Sequence, residues 1–125
     1  MDNVKISTEE IKRLIIVESY LVKDFSTRPP TINFLSRIAA MSTTSLKNKF
    51  KKMYGTSLYE HFQKNRMERA KILMLTHKYS IKEVGSQIGY SNLSNFSIAF
   101  KKEFKRLPSH FLMNLGNLNK VNLTG

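Results

Sequence analysis

The chain contains one short pattern twice, and this repeat constrains the fold more than any other feature of the sequence. The first part of the pattern recurs at a spacing of 49 residues and the second part at a spacing of 50. The matched pairs are Leu35 with Val84, Ala40 with Gly89, Met41 with Tyr90, Ser42 with Ser91, Leu46 with Phe96, Phe50 with Phe100, Tyr54 with Phe104, and Lys51-Lys52 with Lys101-Lys102. Each copy predicts a short helix, a tight turn, a capping hydroxyl and a second helix with a basic outer face.

This arrangement is a helix-turn-helix, present as a pair. The capping box from Ser7 to Glu10 predicts a further helix over about 8–25, and Ser57 begins a long helical stretch that reaches about Thr76. Gly55 and Gly89 are predicted to adopt positive φ at turns. No alternating strand pattern occurs, so the predicted fold is all-α with about seven helices, homeodomain-like in character.

The predicted organisation is two helix-turn-helix subdomains joined by a long linker helix. Its segments are an N-terminal helix in 1–30, the first helix-turn-helix in 31–56, the linker helix in 57–77, the second helix-turn-helix with a final helix in 78–115, and a flexible tail in 116–125. Pro108 suits the first position of that final helix.

The excess positive charge lies on the repeat. The chain carries a net charge of +12. Residues 1–30 contain five basic and five acidic side chains, whereas residues 31–115 contain fifteen basic and four acidic ones. Each phosphate that a basic side chain neutralises releases condensed counterions, so this distribution favours a nucleic-acid partner. The alternative is a basic surface that serves only solubility.

Several functional classes are disfavoured by what the sequence lacks. With no cysteine, the chain forms no disulfide, thiolate zinc site or thiol nucleophile. No apolar run approaches the roughly 20 residues that cross a bilayer, and the N-terminus does not resemble a signal peptide. His61, His77 and His110 are too scattered for a metal site, and His61 is interpreted as a helix-surface residue. We expect a soluble, cytoplasmic, nucleoid-associated protein without enzymatic activity, cofactor or metal.

The stretch from about Thr31 to Leu115 resembles the DNA-binding domain of AraC/XylS-type bacterial transcription regulators. Three signatures carry the resemblance: Met41-Ser42 through Leu46 to Phe50-Lys51-Lys52 and Gly55; Arg66-Met67-Glu68-Arg69-Ala70-Lys71 with Leu73; and Gly89-Tyr90-Ser91 through Phe96 to Phe100-Lys101-Lys102-Glu103-Phe104, then Pro108. The resemblance implies seven helices, of which the third and sixth enter adjacent major-groove segments on one face of DNA. We call these the first recognition helix (residues 43–53) and the second recognition helix (residues 92–104).

The resemblance places base contacts on Thr44, Lys47 and Asn48 in the first recognition helix, and on Leu93, Ser94 and Ile98 in the second. In the first helix the side-chain chemistry agrees, since lysine donates to guanine, asparagine pairs with adenine and a threonine methyl suits thymine. The alternative is the solvated face of an amphipathic helix. The predicted phosphate contacts are Ser42, Lys51, Lys52, Ser91, Asn92, Lys101 and Lys102.

The chain departs from the family pattern at several positions. Ile98 stands where an arginine is common. This indicates either apolar contact with thymine methyls or a helix that mainly anchors through Ser91, Asn92 and Lys101, and anchoring is the favoured interpretation. The remaining departures are Ala40 at a usual turn glycine, Ser36 and Gly85 in place of alanine, Lys105 at a usual helix-ending glycine, and Leu107 in place of a capping hydroxyl.

The expected function is a sequence-specific regulator of transcription that binds double-stranded DNA. An activator role and a contact with RNA polymerase follow from the resemblance alone. The alternative is a non-specific nucleoid protein, and a membrane-surface role is disfavoured because Thr44, Asn48 and Ser94 are not lipid-facing residues. Thirty residues before Thr31 are too few for the family's usual sensor domain, so the chain is either a stand-alone regulator or part of a longer protein. We expect no membrane partner and no small-molecule effector site within it.

Overall fold

The predicted all-α fold is confirmed in a computed structural model, which describes residues 4–114. Seven helices and no strand occur in that range. The helices are α1 (Thr8–Leu21), α2 (Ile32–Ala39), α3 (Thr43–Tyr54), α4 (Leu58–Leu75), α5 (Ile81–Gln87), α6 (Leu93–Phe104) and α7 (108–114). The chain forms two compact units, and the boundary between them falls after Arg66, within α4. Leu115 and the predicted tail over 116–125 lie outside the described residues.

The first helix begins as predicted and ends earlier. The Ser7 hydroxyl accepts a hydrogen bond from the Glu10 amide at 3.1 Å, while the Glu10 carboxylate accepts one from the Ser7 amide at 3.0 Å. The predicted end near residue 25 is wrong, because α1 ends at Leu21. The Asp24 carboxylate accepts hydrogen bonds from the amide and the hydroxyl of Ser26, and this local turn competes with helical hydrogen bonding.

The core of the first unit joins α1, α2, α3 and the first half of α4. Its buried side chains are Leu14, Val17, Leu21, Phe25, Leu35, Ala39, Leu46, Phe50 and Phe62. Phe25 follows the end of α1 and still enters this core, where its ring lies 5.4 Å from that of Phe62. The early end of α1 therefore turns an aromatic side chain inward onto α4.

The core of the second unit is built around two phenylalanines of α6. Its core side chains are Met67, Ala70, Met74, Val84, Ile88, Phe96 and Phe100. The Phe100 ring lies 5.9 Å from Phe96, 4.7 Å from Phe104 and 5.7 Å from Phe111, so one ring ties α6 to α7. Pro108 is buried at the first position of α7, as predicted.

Each helix-turn-helix contains two residues in the left-handed backbone conformation. In the first copy, Ala40 at φ 53° precedes the recognition helix and Gly55 at φ 81° follows it. In the second copy, Gly89 at φ 94° precedes the recognition helix and Lys105 at φ 65° follows it. The predictions for Gly55 and Gly89 are confirmed. Both copies therefore have the same two turns, and each copy has glycine at only one of them.

The same hydrogen bond closes the first turn in both copies. The Met41 amide donates to the Ser36 carbonyl at 3.1 Å, and the Tyr90 amide donates to the Gly85 carbonyl at 2.9 Å. This bond is the signature of a helix that ends through a left-handed residue. The repeat seen in the sequence is thus also a repeat of backbone hydrogen bonding.

Candidate nucleic-acid interface

The first recognition helix, α3, separates an aromatic inner side from a polar outer side. Ser42 caps it by accepting from the Ser45 amide at 3.1 Å, as predicted. Leu46 and Phe50 are fully buried, and Phe50 stacks on Tyr54 with ring centroids 4.5 Å apart. The predicted contact residues of this helix are all exposed: Ser42, Thr44, Lys47, Asn48, Lys51 and Lys52.

An ion pair to α1 holds the recognition helix in place. Lys49, on the inner edge of α3, donates to the Glu10 carboxylate, which also caps α1. The hydrogen bond from Lys49, followed by that from Ser7, lowers the pKa of Glu10 from its ordinary 4.5 to about 2. The carboxylate therefore stays charged at neutral pH, and it links the start of α1 to the helix that carries the predicted base contacts.

The interpretation of His61 as a surface residue is wrong. Its ring packs against Phe50 at 5.4 Å and Tyr54 at 5.1 Å, and its Nε2 lies 2.8 Å from a carboxylate oxygen of Glu18. Burial, and then the charge of Glu18, raises the pKa of the Tyr54 hydroxyl above 10. The histidine supports the aromatic side of α3 and plays a structural role. Sequence reasoning missed it because its partner on α1 is 43 residues away.

The second recognition helix, α6, starts from a different cap than predicted. The repeat placed the capping hydroxyl at Ser91, but the N-cap is Asn92, whose side chain accepts from the Asn95 amide at 3.2 Å. The extra residue that changes the repeat spacing from 49 to 50 lies before the cap, so Asn92 corresponds to Ser42. Asparagine is as good an N-cap as serine, which explains why the substitution is tolerated.

Close packing on α5 positions the second recognition helix. Gly85 lies against Phe96, and a Cβ built on this glycine would stand 3.0 Å from Phe96 Cδ2 and 3.1 Å from Cγ. Phe96 is fully buried, and its ring lies 5.8 Å from that of Tyr90. The absence of a side chain at Gly85 therefore determines how near α6 approaches α5.

The outer face of α6 is more apolar than that of α3. Leu93 is 46% exposed and Ile98 is 67% exposed, so neither serves the core. The other predicted contacts of this copy are also exposed: Ser91, Asn92, Ser94, Lys101 and Lys102. Of these, Ser94, Ile98 and Lys101 lie on the face of α6 opposite Phe96 and Phe100, whereas Ser91 and Asn92 lie at its N-terminal end.

One basic residue beside the first recognition helix was not predicted. Lys5, in the segment before α1, lines a shallow cavity of about 400 Å³ together with Ser42, Thr44 and Asn48. It adds positive charge at the N-terminal end of α3, where the helix dipole also favours anions. No pattern in the sequence indicated this neighbour, because Lys5 lies far from the repeat.

Membrane-spanning helices and metal-binding clusters are both absent from residues 4–114. No helix there is long and apolar enough to cross a membrane. The same stretch contains no cluster of three or more histidine or acidic side chains that could hold a metal ion.

Comparison with known proteins identifies the domain. The family described as a helix-turn-helix domain matches residues 35–114. The raffinose operon transcriptional regulatory protein RafR of Pediococcus pentosaceus is 31% identical over 114 residues, which cover 91% of this chain and 40% of RafR. The chain likewise spans 31% of the Msm operon regulatory protein of Streptococcus mutans, also at 31% identity, over 69% of the chain.

Solved structures share the fold. The C-terminal domain of AraT, a response regulator from Geobacillus stearothermophilus, has a TM-score of 0.73 at 26% identity, over 89% of this chain and 88% of that one. The DNA-binding domain of AdpA, solved in complex with a target DNA, has a TM-score of 0.72 at 19% identity, over 82% and 91% of the two chains. The chain therefore belongs to the AraC/XylS-type family of DNA-binding transcription regulator domains.

Proposed function

We propose that the chain regulates transcription by binding a specific sequence of double-stranded DNA with both recognition helices in adjacent major-groove segments. The supporting observation is the division of α3 and α6 into a buried aromatic side and an exposed side with hydrogen-bonding and basic residues. A helix of this kind fits the major groove of B-DNA, where each base pair presents a distinct set of donors and acceptors.

The first recognition helix is proposed to read bases. Thr44, Lys47 and Asn48 are exposed on the outer face of α3. Lysine donates to guanine N7 or O6, asparagine pairs with N6 and N7 of adenine, and the threonine methyl contacts the thymine methyl. These three side chains together would specify one half of the site.

The second recognition helix is proposed to anchor more than it reads. Leu93 and Ile98 offer no hydrogen bonds, so among its predicted base contacts Ser94 alone can donate to or accept from a base edge. Ser91, Asn92, Lys101 and Lys102 are suited to phosphates, as are Ser42, Lys51 and Lys52 in the first copy. The half-site under α6 would accordingly tolerate more sequences.

The role of the whole protein is proposed from its relatives. RafR and the Msm operon regulatory protein are described as operon regulators, and this chain spans less than half of each. By analogy we propose that the domain works at the nucleoid as an activator that contacts RNA polymerase. A single copy would occupy an asymmetric site of about two helical turns, since its two recognition helices differ.

Selection from a random pool of DNA duplexes tests the proposal. A recovered motif with two conserved segments about one helical turn apart supports two-helix recognition, whereas a pool without enrichment contradicts sequence-specific binding. Measured on the selected site, Asn48→Ala should cost about 1–3 kcal/mol and relax preference at one base position.

Two lysine variants control for charge in that experiment. Lys101→Ala should weaken binding to all sequences alike and reduce the slope of log affinity against log salt by about one. Lys64→Ala removes the same charge from an exposed position of α4 outside both recognition helices, and it should change affinity less. Equal losses for Asn48→Ala on selected and random DNA would rule out base reading by this residue and favour a non-specific nucleoid protein.

A further inference from the structure

The first unit contains a cavity with an apolar floor. Its volume is about 450 Å³, within the roughly 300–1000 Å³ of small-molecule sites. Leu21, Leu35 and Phe62 line it and are at most 3% exposed, so they belong to the packed core. Pro30 and Leu58 add apolar wall. Because the floor is core, the cavity exists without rearrangement.

One side of the cavity is polar, and that side is the first recognition helix. Lys47, Asn48 and Lys51 of α3 line it. Lys47 and Lys51 are one helical turn apart, and neither forms an ion pair with any side chain in residues 4–114. An apolar chamber edged by two lysines without acidic partners, and by an amide that can donate, is complementary to an anion with a hydrocarbon body.

We infer that this cavity binds an organic acid, with the carboxylate on Lys47, Asn48 and Lys51 and the apolar body against the core floor. The same three side chains are the ones proposed to contact DNA, so a bound acid competes with DNA for them. This competition rests on the proposed function; binding of the acid does not. The sequence predicts no small-molecule effector site in the chain, and this proposal departs from that prediction.

Direct binding to the DNA-free protein tests the site. The probe is 2-naphthoate, with 2-naphthylmethanol as its neutral counterpart and acetate as the anion without a body. We expect isothermal titration calorimetry to show naphthoate binding roughly ten-fold or more tightly than either control, because a charge-assisted hydrogen bond and apolar burial both contribute. Amide NMR shifts should concentrate at Leu35, Lys47, Lys51 and Leu58. Equal affinity for the neutral compound, or shifts elsewhere, would overturn the assignment.

Variants separate the two halves of the cavity. Replacing both lysines in Lys47→Gln/Lys51→Gln should weaken naphthoate about ten-fold and leave naphthylmethanol unchanged. Tyr59→Ala removes an apolar wall residue that is 65% exposed, so the fold should survive while naphthoate binding falls severalfold. The matched control is Lys101→Gln on the second recognition helix, which should weaken DNA binding without affecting naphthoate. An equal effect of Lys101→Gln on naphthoate would indicate non-specific charge attraction and overturn the proposal.

Competition is measured on the DNA site selected above. At ten times its own Kd, naphthoate should raise the apparent Kd for DNA about eleven-fold in wild type and by much less in Tyr59→Ala. Binding in the cavity without displacement of DNA would overturn the competition. If the protein selects no DNA sequence but binds naphthoate at the cavity, the proposed function fails and the ligand site stands. If it binds DNA and ignores naphthoate, the reverse holds.

Discussion

The two left-handed turns after the recognition helices permit a test of backbone strain within one chain. Lys105 and Gly55 occupy equivalent positions at φ 65° and 81°, and the amide of each donates to a carbonyl four residues earlier. A non-glycine residue in this conformation costs about 1–2 kcal/mol. Glycine avoids that cost, but the greater entropy it gives the unfolded chain lowers the free energy of unfolding by about 0.4–1 kcal/mol. We therefore expect Lys105→Gly to stabilise the protein by about 0.5–1 kcal/mol.

The reverse substitution at Gly55 should have the opposite sign. A Cβ added there meets nothing within 4 Å, so no steric clash obscures the backbone effect. Gly55→Ala is expected to destabilise by about 1 kcal/mol. Urea unfolding followed by circular dichroism gives both values, and the thermal midpoints should move by about 2–8 °C in opposite directions for units of roughly 60 residues.

A second variant at position 105 isolates the cause. Lys105→Ala removes the long basic side chain but keeps a Cβ in the left-handed region, so it should bring no stabilisation. If Lys105→Gly is no more stable than Lys105→Ala, relief of backbone strain does not exceed the entropy that glycine adds to the unfolded chain, and the expectation is refuted.

The pKa of Glu10 is about 2 in the folded protein against an ordinary 4.5, so its stabilising contribution is complete above pH 4.5 and is lost as pH falls towards 2. The unfolding midpoints of wild type and Glu10→Gln should therefore differ at pH 6 and converge near pH 2. A difference that stays constant with pH would contradict the ion pair with Lys49. Gly85→Ala gains about 1 kcal/mol of helix propensity but costs about 1–3 kcal/mol of overpacking against Phe96, so urea titration should show a net loss of up to about 2 kcal/mol. Ile98→Ala should change affinity for the selected DNA less than two-fold if α6 anchors, whereas a loss confined to A·T-rich sites would establish thymine contact.

Most of the helices could be predicted from the sequence, because the residues that start a helix lie within one turn of its first residue. Ser7, Ser42 and Ser80 each cap the helix that follows by accepting a hydrogen bond from the amide three residues ahead, and side chains within one turn decide such caps. Two of these predictions failed, one because of a competing turn and the other because of an inserted residue. Asp24 ended α1 through Ser26, and a one-residue insertion moved the cap of α6 to Asn92.

For the candidate interface, the exposure of the contact residues could be predicted from the sequence, but their neighbours could not. That the proposed contact residues are exposed followed from amphipathic spacing around Phe50 and Phe100, and the structure agrees. The neighbours of α3 did not follow, since Lys5 reaches it from the segment before α1, and the partner that holds His61 against it lies 43 residues away on α1. The cavity was also beyond sequence reasoning, because it forms only when α1, α2 and α4 pack around α3.

Glycine occupies only one of the two left-handed turns in each copy, and a different one in each, so sequence comparison is a poor detector of this repeat at those turns. Ala40 and Gly89 share one conformation, and Gly55 and Lys105 share another, yet neither pair shares a residue type. A comparison of the two halves by amino-acid identity would therefore score both turns as mismatches, although both copies have positive φ and matching backbone hydrogen bonds there. Among related domains, torsion angles should preserve the record of duplication after the residues at these corners have diverged.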